Sequence, residues 1–287
     1  MREGRRTTLA PVTAALLAAS TTTHASPELE DVGGLGPACT TRALLVVSPG
    51  LAPRATDALV DAVEAAGVDV WRLTFPVDQQ SPAAMHAAIT DGLAALGPGP
   101  VGLIGHGLGG TLAVQSAASG AGAAAVAVVG APLRSAHGRL VAWLGSRPLP
   151  PLGIDPDHPE AQTAAWNGQP VLPLLLGEPL PPMLPVSASW LEELQRWAQP
   201  GWRSDAAEVQ VPLWAAVGVL DNLAPPESVR MVLPPGAVFE RYGLGHLDDT
   251  NPTHIDLLRS HVVGTDLGTW MHARLQAAGA VDADQVP

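Results

Sequence analysis

The segment Gly105-His106-Gly107-Leu108-Gly109-Gly110 sets four glycines in six residues directly between two regular elements. The apolar run Val101-Gly102-Leu103-Ile104 before it reads as a buried strand, and Thr111 to Ala118 after it reads as a helix closed by Gly120. Through Gly105, Gly107 and Gly110 the segment satisfies G-x-G-x-x-G, the pattern of a dinucleotide-binding turn. That function further requires an acidic residue about 20 positions on, at the end of the next strand, to hold the ribose hydroxyls. The next strand, Ala123 to Val129, runs into Gly130-Ala131-Pro132, and no Asp or Glu occurs between Gly105 and Asp155. A dinucleotide is therefore not expected, nor any other cofactor or metal.

Elsewhere the chain alternates in the same manner. Ala43–Ser48 reads as a strand, Ala55–Ala66 as a helix, Val68–Phe75 as a strand ended by Pro76, and Ser81–Leu96 as a helix. After a break the pattern resumes with a strand at Val211–Val217, a helix near Pro226–Met231, a strand near Ala237–Arg241 and a closing helical region from Thr253 to Leu275. Strands alternating with helices of 10–15 residues imply a parallel sheet covered on both faces.

The break from about 133 to 208 is rich in proline and holds five of the eight tryptophans, which marks it as a cap inserted over the carboxyl ends of the strands. Within it Ser189 and Glu192 form a capping box, and Trp190, Leu194 and Trp197 share one face of the helix that follows. Those tryptophans serve either a lipophilic pocket or the packing of a small lid on the sheet.

Residues 1–25 resemble a signal peptide, with Arg2, Arg5 and Arg6 ahead of the apolar segment Leu9–Ala19 and a small-residue cleavage site at Thr23-His24-Ala25. Arg5-Arg6 is also the minimal feature of twin-arginine export. An apolar stretch of about 11 residues is shorter than the ~20 needed to cross a bilayer, so no membrane span is expected. If this start is a leader the protein is exported, periplasmic or secreted; otherwise it is cytoplasmic. Residues 26–41 read as an acidic, Gly/Pro-containing linker, leaving 42–287 as one domain. Cys39 is the only cysteine, so no intrachain disulfide can form. All fifteen basic residues are arginine, and the net charge of −12 argues against nucleic acid or an anionic membrane surface as partner.

On Gly105-His106-Gly107-Leu108-Gly109, which stands where a nucleophile elbow would, on Gly218-Val219-Leu220-Asp221-Asn222 and on Gly245-His246-Leu247-Asp248, the chain resembles the α/β-hydrolases, and within them esterases, lipases and polyester synthases. The resemblance covers residues 43 to 275 and implies a mostly parallel eight-stranded sheet with helices on both faces and a cap. It implies Asp221 as the triad acid and His246 as the base, in the family's chain order of nucleophile, acid, histidine. It implies oxyanion donors in the backbone N–H groups of Leu108 and Leu51. Pro49, where the family commonly has histidine, departs from the pattern beside Leu51.

The family's elbow reads G-x-S-x-G, and here Gly105 and Gly109 flank Gly107, so the nucleophile position holds only a hydrogen. The elbow residue ordinarily takes φ > 0, a conformation glycine adopts without steric cost. A carboxylate after a late buried strand requires a partner, and an imidazole could be one; a helix N-cap or a turn residue before Pro225 is the other role open to Asp221. Asp248 and Asp249 compete as the acid but stand very close to His246 in sequence. Two functions are compatible with these residues. One is a non-catalytic or severely impaired hydrolase homologue that keeps an apolar pocket for a small apolar or acyl ligand. The other is an active carboxylic-ester or acyl hydrolase using water activated by His246, or another hydroxyl, for which Ser48 is the nearest candidate.

Overall fold

A computed structural model describes residues 27–32, 40–48, 53–75, 82–133, 165–166, 169–170, 206–219, 221, 224, 226–243 and 256–283. The main sheet is built from β1 (Glu28–Asp31), β2 (Arg42–Val46), β3 (Asp69–Thr74), β4 (Val101–His106), β5 (Ala125–Val129), β8 (Leu213–Gly218) and β9 (Val238–Tyr242), in the spatial order β1-β3-β2-β4-β5-β8-β9. Every neighbouring pair is parallel except β1 with β3. Two short strands, β6 (Ala165–Trp166) and β7 (Gln169–Pro170), form a separate antiparallel pair within the insertion. The helices are α1 (Asp57–Ala65), α2 (Pro82–Ala95), α3 (Gly107–Ala118), α4 (Pro226–Arg230), α5 (Asp256–Arg259) and α6 (His261–Ala283).

Alternation along each strand sorts the side chains into two apolar layers. Leu44, Val46, Leu103, Val126, Val128 and Val217 meet α2 and α3 through Met85, Ile89 and Leu112. The alternate residues Leu45, Ile104, Ala127, Trp214 and Ala216 meet α1 and α6 through Leu59, Val63, Leu267 and Met271. Each large apolar side chain so buried contributes roughly 1.5–3 kcal/mol, and β4, β5 and β8 are buried along their whole length rather than alternating.

Several boundaries differ from the sequence expectation. Among the described residues the main sheet has seven strands, where eight were expected. β1 lies inside the segment read as a linker: Glu28, Glu30 and Asp31 are exposed, and it joins β3 through its backbone, with Leu29 packed on the core and Glu30 3.7 Å from Arg72. The elbow helix starts at Gly107 instead of Thr111, because glycine accommodates the turn and the first helical residue at once. The closing helical region is two helices parted at Ser260, whose Oγ accepts the Val263 amide at 3.2 Å and so caps α6. The leader, Cys39, most of the insertion, and the capping-box helix with Ser189, Trp190, Glu192, Leu194 and Trp197 lie outside the described residues. Among the described residues no helix is long and apolar enough to cross a membrane.

Candidate functional site

From β2 the chain passes outward to β3, and then returns to β4 on the other side of β2. In an open parallel sheet such a reversal leaves a crevice at the carboxyl ends of the two diverging strands, where ligands bind. Ser48 follows β2 and Gly107 follows β4, so both stand at this point.

The turn at Gly107 is strained for any residue but glycine. Its φ is +54°, in the left-handed region. His106, the residue before it, is extended at φ −113° and ψ 142° and is the N-cap of α3, though its imidazole makes no capping bond. That imidazole is 1% exposed, in keeping with packing rather than with reaching a substrate. The first turn of α3 lies hard against β2: a Cβ on Gly109 would come to 2.3 Å from the Val46 carbonyl oxygen. A Cβ on Gly105 would meet Gly110 Cα at 2.5 Å. The outer glycines of the elbow are therefore imposed by backbone contact, while Gly107 answers to its dihedral.

Ser48, the candidate for a substitute nucleophile, is committed to this turn. Its Oγ donates to the His106 carbonyl oxygen at 2.5 Å and accepts from the Gly109 amide at 3.3 Å. The side chain is buried. Both bonds hold the hydroxyl against the elbow backbone.

Asp221 stands beyond β8, two strands from β4, and is 2% exposed. Its amide donates to the Gly218 carbonyl at 3.0 Å and its Oδ1 accepts the Ala224 amide at 2.8 Å, an Asx turn. The β8 and β9 exits are tied together. Val219 N–H donates to the Tyr242 carbonyl oxygen at 2.8 Å, and Gly243 lies where a Cβ would be 2.7 Å from Val219 Cγ1. Tyr242 is buried and its hydroxyl donates to Asp266 Oδ2 at 2.8 Å, joining β9 to α6. Burial first, and the Asp266 carboxylate second, hold its ionisation well above the ordinary tyrosine range.

The structure thus places Gly107 and Leu108 at the carboxyl end of β4 and Asp221 at that of β8, with β5 between them and Leu108 buried in the first turn of α3. His246, Leu51, Asp248 and Asp249 lie outside the described residues. Ser48 and Tyr242 are the residues of this region whose structural parts sequence reasoning missed, since both act through partners distant along the chain.

No protein-family model and no curated protein sequence matches the chain. Solved structures do. A monoacylglycerol lipase of Paleococcus ferrophilus is similar at TM-score 0.56 and 17% identity, over 86% of this chain and 98% of that one. Est1E of Butyrivibrio proteoclasticus is similar at TM-score 0.57 and 14% identity, over 88% and 94%. A bromoperoxidase of Bacillus anthracis is similar at TM-score 0.57 and 13% identity, over 86% and 94%. The chain has the α/β-hydrolase fold.

Proposed function

We propose that this chain is a hydrolase homologue without its catalytic nucleophile, non-catalytic or severely impaired, whose crevice takes a small apolar or acyl ligand. The observation that carries this reading is Gly107 itself, a residue with no side chain at φ +54° on the strand-to-helix turn where the fold ordinarily presents its attacking group. The engagement of Ser48 with His106 and Gly109 supports it by withdrawing the nearest alternative hydroxyl. In this reading Asp221 and His246 are the remnant acid and base, and Leu108 and Leu51 are the remnant oxyanion donors.

A serine at an elbow costs roughly 1–3 kcal/mol of backbone strain, and glycine removes that cost. Loss of the nucleophile therefore stabilises the fold while ending acyl transfer. Such a change is expected where activity is no longer selected.

The esterase and lipase names among the structural neighbours favour a second reading, a working ester hydrolase in which His246 activates water directly. The two separate in one experiment. Ester hydrolysis and fluorophosphonate labelling are compared for the wild type, Gly107→Ser, and Gly107→Ser with His246→Ala. On the first reading the wild type is neither labelled nor active, while Gly107→Ser gains both properties and loses them again without His246. A wild type already as active as Gly107→Ser establishes the second reading. Residual turnover of ~10³–10⁴ over water does not, since removing one triad member leaves that much. A folded Gly107→Ser that stays inert means the crevice has been rebuilt for another purpose.

A further inference from the structure

We propose that Ser48 is a positioning residue for the elbow, acting as the helix cap of α3 from a neighbouring strand. The part played there by Gly107 and Leu108 rests on the functional reading above.

At a helix start the N-cap side chain ordinarily accepts the amide of the third helical residue. In α3 the N-cap is His106 and the third residue is Gly109, but the imidazole does not cap. Ser48 Oγ accepts the Gly109 amide instead, across 61 residues of chain, and donates to the carbonyl of His106. One hydroxyl therefore grips the backbone immediately before Gly107 and again two residues after it. The left-handed turn is held between these two points.

Close approach makes this possible. Gly109 carries no Cβ, so its backbone can lie within reach of the end of β2, where any other residue would strike the Val46 carbonyl oxygen. By helix geometry the amides of Gly107 and Leu108 have no acceptor within α3. With Gly109 N–H taken by Ser48, those two are the first-turn donors left to an oxygen in the crevice.

The test has two arms. In the wild-type background, amide hydrogen exchange is followed residue by residue in Ser48→Ala and Ser48→Thr. Removal of the hydroxyl should speed exchange at Gly109 roughly tenfold relative to Leu112 and Ala113 further along α3, and threonine should restore protection. If Ser48→Ala does not fold, Ser48→Cys, close in size but a weaker acceptor, is read in the same way. In the Gly107→Ser background, Ser48→Ala should lower kcat for a small activated ester about tenfold and leave KM unchanged, with threonine again rescuing. Unaltered exchange at Gly109, or an active serine background indifferent to Ser48→Ala, overturns the proposal. If Gly107→Ser is itself inert, the lost-nucleophile reading fails on its own account, and the exchange arm alone decides Ser48.

Discussion

The Val219 amide donates to the Tyr242 carbonyl oxygen at 2.8 Å, so the backbone leading to Asp221 leaves the sheet bonded to the end of β9. Gly243 makes this pairing close, because a Cβ there would sit 2.7 Å from Val219 Cγ1 and valine has little rotamer freedom with which to yield. Gly243→Ala should destabilise the protein by roughly 1–3 kcal/mol in denaturant titrations. Placed on Gly107→Ser, it should reduce ester turnover further than the stability change explains. Unchanged stability would show that the two exits are free to separate.

Tyr242 offers a clean alkaline probe, since it is the only tyrosine and the chain has no lysine. Burial and the Asp266 carboxylate raise its folded ionisation above the unfolded value of about 10. The folded state then keeps a proton that the unfolded state releases, so this stabilisation is complete below pH ~10 and is lost as pH rises beyond it. Tyrosinate absorbance should appear only together with unfolding, and Tyr242→Phe should flatten the alkaline fall in stability. A tyrosinate signal near pH 10 from a still-folded protein contradicts the assignment.

Asp69 opens β3 from a buried position and accepts the Trp71 indole N–H on Oδ2 at 3.3 Å, while Oδ1 has no hydrogen-bond partner among the described residues. Burial is the largest influence and raises its pKa, and Asp31 adds to the rise; the Trp71 bond and Arg42 oppose it. A raised folded pKa means that stability is fully present below the unfolded value of about 3.9 and is lost as pH climbs through the folded value. Asp69→Asn should therefore melt higher than wild type at neutral pH, and the difference should close in acid. Equal melting at both pH values would mean that Asp69 carries no strain of ionisation.

Gly109 and Gly107 should fail differently on substitution. Gly109→Ala drives a methyl into the Val46 carbonyl and should cost more than about 3 kcal/mol or prevent folding. Gly107→Ala meets the dihedral penalty of a left-handed residue and should cost roughly 1–3 kcal/mol. Melting curves of the two variants compare them directly, and an equal or inverted order would refute the division of labour within the elbow.

The parts of this architecture legible in the sequence are those written as local periodicity. The apolar runs at Ala43–Val47, Val101–Ile104 and Ala125–Val129 announce buried parallel strands, and Gly105–Gly110 marks the junction that positions residue 107. β1 was illegible because its four residues carry three carboxylates and bond through the backbone at an edge. Ser48 gave no local sign of its part, since its partners His106 and Gly109 are 58 and 61 residues away. Tyr242 likewise depends on Asp266, a pairing that exists only once α6 has packed beside β9.

The antiparallel strand Glu28–Asp31 also governs how copies of this protein meet one another. It closes the outer side of β3, so among the described residues the sheet ends at β1 on that border. An open strand edge is a template onto which another chain can add itself. Here the three exposed side chains are Glu28, Glu30 and Asp31, so a second copy approaching the same edge brings carboxylates toward carboxylates. The border is guarded by like charge, and its resistance to fibre-like stacking is weakest at high ionic strength, where that charge is screened.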